Sequence, residues 1–274
     1  MSEPKTAALV FFYYGEESYI NRLAQETVPI HNSMTGYDKA VLLRHETDLE
    51  IGKAKFELSE KAEQKADVVD LPTRENFVKY LHQLGQEGYV VDLYIFSHGW
   101  VDQFLVSKGT YEDPSTINAA YIEAHVEPLK LRMVWGTNCY GSTLNDTWRR
   151  LGARVCGGAR FVSFYPTQYK NFIQAWLRGD TYSAAVTKAV TKAVRTPVQV
   201  YIPADALAIS QRWGGNILKA ATVLGKTKAA KAYFQERWFG GEEWQEELSG
   251  KQNMNFSSQF LLAGDRKTTK NTVW

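Results

Sequence analysis

Hydrophobic positions along the chain fall into two kinds of run. Ala7–Tyr14, Lys39–Arg44, Val90–Phe96, Leu131–Trp135 and Ala159–Phe164 are short and largely apolar, as expected of strands covered on both faces. Between them, apolar residues recur at helical spacing. Thr73 caps a predicted helix with Phe77, Leu81 and Leu84 on one face, ended by Gly85 or Gly88. A second helix is predicted from Ser115–Thr116 through Ile117, Tyr121 and Ala124, and a short one over Leu144, Trp148 and Leu151, stopped by Gly152. Asn171–Arg178 reads as helical up to Gly179, and Asp180 or Thr181 caps another helix through Val194. Phe104–Tyr111 is expected to form a hairpin turning at Lys108–Gly109. Pro197–Ile202 reads as an edge strand, Ala204–Phe239 as mostly helical, and the polar tail beyond Gly240 as holding Trp244 and Trp274 as anchors. The charged stretch Asp48–Asp70 reads as a loop or an exposed helix. Strands alternating with helices predict an α/β protein, a three-layer α/β/α arrangement around a mostly parallel sheet.

Composition narrows the function classes. The chain has 274 residues, 44% of them apolar, enough for one large domain with an ordinary core. The net charge of +2 comes from interleaved acids and bases, which argues against a nucleic-acid partner. No run approaches the length that spans a bilayer, so no membrane role is expected. Ala7–Tyr14 is too short, and too rich in Val, Phe and Tyr, for a signal peptide. With only Cys139 and Cys156 in the chain, reduced thiols and a cytoplasmic location are expected. No Cys/His cluster has zinc spacing, and no glycine-rich phosphate loop follows the first strand, so neither a metal nor a cofactor is expected.

Two strands carry candidate chemistry where they end. "YIFSHGW" places His98 and Gly99 just past one strand; "VWGTNCYGS" places Cys139 just past another. In parallel sheets functional groups gather beyond the carboxyl ends of strands. If these two strands are neighbours, an imidazole and a thiol flank one cleft. The imidazole can draw off the thiol proton and later protonate a leaving amine. Gly99 and Gly141 leave room for backbone beside a substrate, and amides there can face an oxyanion. All the histidines (31, 45, 82, 98 and 125) precede Cys139. That order excludes the α/β-hydrolase arrangement, which needs its His after the nucleophile, as well as papain-like peptidases and glutamine amidotransferases. His125 reads as a packing residue at the flank of its helix, and Cys156, in "RVCGGAR", as a structural thiol.

"DLYIFSHG", then a hairpin-like segment and a helix, then "MVWGTNCYGS", resembles the caspase-like (clan CD) cysteine peptidases, which include caspases, metacaspases, legumains, gingipains, clostripain and separase. The Cys lies 41 residues after the His. The resemblance is specific over Val90–Ser142 and extends from Ala7 to Phe164. It implies a caspase-like fold over residues 1–240, with 241–274 as an extension that packs on it or binds a partner. It implies a thiol protease acting on protein or peptide substrates through a catalytic dyad of His98 and Cys139, with the backbone N–H groups of Gly99 and Cys139 as the oxyanion hole. Thr137, two positions before the Cys, falls where many members line the S1 pocket; Ser163 is a weaker candidate for the same pocket. Asn138 stands where a small Ala or Ser is usual. The alternative is a catalytically inactive caspase-like module that serves as a protein-interaction or regulatory subunit. An activating or regulatory partner is compatible with either reading. A doubly wound ligand-binding domain is a third, weaker option.

Overall fold

The structure is a computed structural model and describes residues 4–13, 30–44, 64–107, 114–159, 166–195 and 260–272. By contacts the chain divides into two compact units. One is Met1–Ala193 with Ser258–Trp274, the other Val194–Ser257; the sheet and the site belong to the first.

Seven strands form the central sheet. They are β1 (Thr6–Tyr13), β2 (Lys39–Leu43), β3 (Val68–Asp70), β4 (Val90–Ser97), β8 (Leu131–Gly136), β9 (Val155–Ala159) and β10 (Phe260–Gly264), in the order β10-β9-β8-β4-β1-β2-β3. The pairs from β3 through β9 are parallel, and only β10 runs antiparallel, against β9. The protein is therefore α/β with a mostly parallel sheet, as expected. A second sheet, order β5-β6-β7, is antiparallel and made of β5 (Gly99–Trp100), β6 (Gln103–Ser107) and β7 (Pro114–Asn118).

Alternation along β1 sorts its side chains onto two faces. Ala7, Leu9, Phe11 and Tyr13 pack with Phe77, Leu81 and Leu84 of helix α1 (Arg74–Gln86), Ile122 of α2 (Ala119–His125) and Trp148 of α3 (Asn145–Arg150). Ala8, Val10 and Phe12 face the other way, toward Tyr169, Phe172 and Trp176 of α4 (Pro166–Leu177) and Tyr182, Ala185 and Val186 of α5 (Tyr182–Arg195). Helices thus pack on both faces, which is why β1, β4 and β8 read as apolar runs. Thr73 caps α1 by accepting from the Asn76 amide at 3.1 Å, and Gly88 just beyond it takes a φ of +78°. Thr181 plays the same part for α5, accepting from the Ala184 amide at 3.3 Å.

Several elements differ from the sequence expectation. Ser115–Thr116 belong to strand β7; the helix starts later, capped by Asn118, whose side chain accepts from the Tyr121 amide. The hairpin expected around Lys108–Gly109 exists as β6 and β7, with its second strand set beyond Tyr111, and residues 108–113 lie outside the described ones. Val68–Asp70 is an edge strand where a loop or exposed helix was expected. β9 begins at Val155, earlier than the expected Ala159. Phe260–Gly264, in the stretch expected to be an extension, adds the last strand to the sheet. Pro197–Ile202, Ala204–Phe239, Trp244 and Trp274 fall outside the described residues.

At the amino end of β4 and β8 a buried polar cluster ties the layers together. Arg132 donates from Nε and Nη2 to the two Asp92 oxygens, each at 2.8 Å. The Tyr37 hydroxyl (2.5 Å) and Trp176 Nε1 (2.9 Å) complete the carboxylate's donors. Arg132 also donates to the Lys270 carbonyl. Burial opposes charge on the guanidinium, yet Asp92 outweighs it and holds the Arg132 pKa above its ordinary value. Burial, then Asp92, pushes the Tyr37 hydroxyl up as well.

Candidate functional site at the ends of two parallel strands

β4 and β8 are neighbours and run parallel, with Ile95 opposite Gly136. His98 directly follows β4, and Cys139 lies three residues past the end of β8. The strands end together because Thr137 locks them: its amide and its hydroxyl both donate to the Ile95 carbonyl, at 2.9 and 2.7 Å. Thr137 is 1% exposed, and its own carbonyl accepts from the Tyr169 hydroxyl. The residue expected to line a pocket therefore spends its hydroxyl on the strand pair. Ser163 lies outside the described residues.

His98 is the single residue between β4 of the large sheet and β5 of the small one. It is half-buried, and its carbonyl accepts from the Leu105 amide at 2.9 Å. Ser97, one residue earlier, donates its hydroxyl to the Leu105 carbonyl at 2.7 Å. The backbone on both sides of the imidazole is thus fastened to β6.

Gly99 brings this strand end against the Cys139 loop. A Cβ on Gly99 would stand 2.6 Å from the Cys139 carbonyl oxygen and 2.8 Å from Asn138 Cβ. A side chain there would force the Cys139 backbone or Asn138 to shift, so the contact favours glycine. Gly136 and Gly141 close around the same Asn138 side chain: a Cβ on either would fall 2.9 or 2.8 Å from its Oδ1. The space beside Gly99 and Gly141 on that side holds Asn138, where the sequence reading left it to a substrate. Asn138 is 1% exposed, and its Nδ2 has no hydrogen-bond partner among the described residues. A buried amide left this way costs about 1–3 kcal/mol.

Cys139 itself is a half-buried thiol. It sits in a tight turn in which the Gly141 amide donates to the Asn138 carbonyl at 3.0 Å. Tyr140 next to it takes a left-handed φ of 55° and leads into the 3-10 turn Gly141–Leu144. That turn lies directly on β9, since a Cβ on Gly158 would meet the Gly141 carbonyl carbon at 2.3 Å. Gly157 opens the opposite face to the Tyr182 hydroxyl and Leu262. The Gly-Gly of "RVCGGAR" is explained by these two approaches.

The second thiol behaves differently. Cys156 on β9 is fully buried, donates weakly to the Asn145 carbonyl, and is pushed up to about 12 by burial. It is a structural cysteine, as the sequence suggested. His125 is exposed, stacks on Tyr121 at 4.2 Å and bonds its carbonyl, while His82 accepts from the Glu127 amide. Among the described residues no group of three His, Cys, Asp or Glu side chains could hold a metal ion, and no helix is long and apolar enough to cross a membrane.

Sequence reasoning singled out His98, Gly99 and Cys139 but missed the residues that hold them. For Asn138 the available signal is the glycines before and after it at 136 and 141, the mark of a crowded side chain. Compared with known proteins, the chain matches no family model and no curated protein.

Proposed function

We propose that the chain is a cysteine endopeptidase of the caspase-like class, with Cys139 as nucleophile and His98 as its general base and acid. One observation carries the reading: parallel neighbours β4 and β8 end together, with the Gly99 backbone pressed against the Cys139 carbonyl. In the proposed reaction His98 takes the thiol proton and Cys139 sulfur adds to the scissile carbonyl carbon. The Gly99 and Cys139 amides receive the oxyanion. The C–N bond then breaks, the amine leaves with the proton from His98, and water hydrolyses the thioester by the same steps in reverse order. The half-buried Cys139 suits this role better than the sealed Cys156.

The test is covalent capture. Peptide acyloxymethyl ketones of varied sequence are expected to label the full chain at Cys139. Labelling should disappear in Cys139→Ala and fall at least a hundredfold in His98→Ala. Equal labelling with and without His98 overturns the dyad. A second reading, an inactive module that binds a protein partner, draws support from Trp100 and Val101, 51% and 54% exposed just past His98. It expects partner binding to survive Cys139→Ala and to be lost in Trp100→Ala.

A further inference from the structure

Two non-glycine residues among those described adopt left-handed backbone: Asp102 at φ 57° and Tyr140 at φ 55°. Each conformation costs on the order of 1 kcal/mol or more. Both stand at the site. Asp102 closes the turn between β5 and β6, three residues after Gly99, and Tyr140 directly follows Cys139.

A single hydroxyl joins them. Thr143 Oγ1 accepts from the Asp102 amide at 2.7 Å and donates to the Tyr140 carbonyl at 2.8 Å. A hydroxyl has one proton and two lone pairs, and this one uses the proton on the Tyr140 carbonyl and a lone pair on the Asp102 amide. The Thr143 amide reinforces the second contact, donating to the Tyr140 carbonyl at 2.9 Å. Asp102 is pinned from the other side too, its carbonyl accepting from the Ala119 amide where α2 begins. The turn that continues from His98–Gly99 and the loop that carries Cys139 are therefore tied through Thr143, at two strained residues.

We infer that Thr143 is a positioning residue: its hydroxyl fixes the His98 strand end against the Cys139 loop and so sets the separation of imidazole and thiol. The inference rests on the peptidase reading above. Thr143 touches no substrate; it acts through Tyr140 and Asp102.

The experiment measures the rate of Cys139 alkylation by iodoacetamide across pH 5–9 in the full chain, with the modified site mapped by mass. Cys156, buried and protonated throughout that range, is the internal control. In the wild type the rate should persist well below the pKa of an ordinary thiol, about 8.5, and His98→Gln should remove that low-pH reactivity. Thr143→Val keeps the shape and loses both hydrogen bonds. It is expected to cut the rate at pH 6.5 about tenfold and move the profile upward, while the thermal midpoint stays within a few degrees. Thr143→Ser, which restores the hydroxyl, should restore the profile. If the wild type shows the His98-dependent limb and Thr143→Val keeps it, the positioning role is overturned and the dyad stands. A serine variant that fails to recover also overturns it. If the wild type shows no His98-dependent limb, the peptidase reading falls, and the positioning role with it. Thr143→Ala carries the same test should the valine variant not fold.

Discussion

The two ends of the β4–β8 pair are opposites. At the amino end, Asp92 and Arg132 are nearly inaccessible, and among the described residues Asp92 accepts from Arg132 twice, Tyr37 and Trp176. At the carboxyl end, the buried Asn138 Nδ2 has no partner among the described residues, two residues hold left-handed backbone, and Cys139 is half-buried. Both ends lie on the same two strands, so packing in the sheet does not account for the difference. A closed, fully answered polar cluster fixes layers in place and offers nothing to a ligand. Strain and an unanswered donor beside a half-buried cysteine persist only when surrounding contacts over-determine them, and such features gather at sites of chemistry.

The comparison breaks most sharply at the proposed dyad. Cys139→Ala and His98→Ala should each lower peptide hydrolysis at least about a thousandfold while the thermal midpoint barely moves; a midpoint that collapses would make the carboxyl end structural like its counterpart. Next comes the amino end. Arg132→Met leaves the Asp92 carboxylate buried with only neutral donors and should cost about 3–5 kcal/mol in urea denaturation. Pairing it with Asp92→Leu should recover much of that loss, since the penalty belongs to the stranded charge. Gly99→Ala is smaller: its Cβ must displace the Cys139 carbonyl or Asn138, at about 1–3 kcal/mol. Its reactivity loss, read by alkylation of Cys139, should exceed what that destabilisation explains. Smallest is Tyr140→Gly, which relieves the left-handed backbone and should stabilise the fold by less than about 1 kcal/mol. The same change should slow Cys139 alkylation, a stability–reactivity trade that an equivalent relief at a purely structural turn would not show.

How far the sequence could be read follows from where the information lies. β1, β2, β4 and β8 were legible because burial on both faces writes itself as an apolar run, and the start of α1 because the Thr73 cap is local chemistry. His98 and Cys139 were legible for the same reason: each ends such a run. What escaped depends on distant partners. β3 is three half-buried residues inside a charged stretch, paired to the distant β2. β7 hid behind Ser115 and Thr116, which look like helix caps until β6 pairs with them. The glycines of β9 argue locally against a strand, and they are there because Gly141 and Tyr182 approach it from either side. In the site, the imidazole and the thiol were visible from sequence. Their supports were not, since Thr143 reaches Asp102 across 41 residues and Asn138 is packed by glycines from three separate elements.

β10 has a temporal consequence. Its partner β9 lies about a hundred residues upstream, and Phe260 stacks on Trp135 while Leu261 receives the Asn145 amide. During synthesis the earlier strands can assemble while β9 remains an open edge. The nascent protein must guard that edge until residue 264 has left the ribosome, and docking of so remote a strand is the slow step expected of long-range pairing.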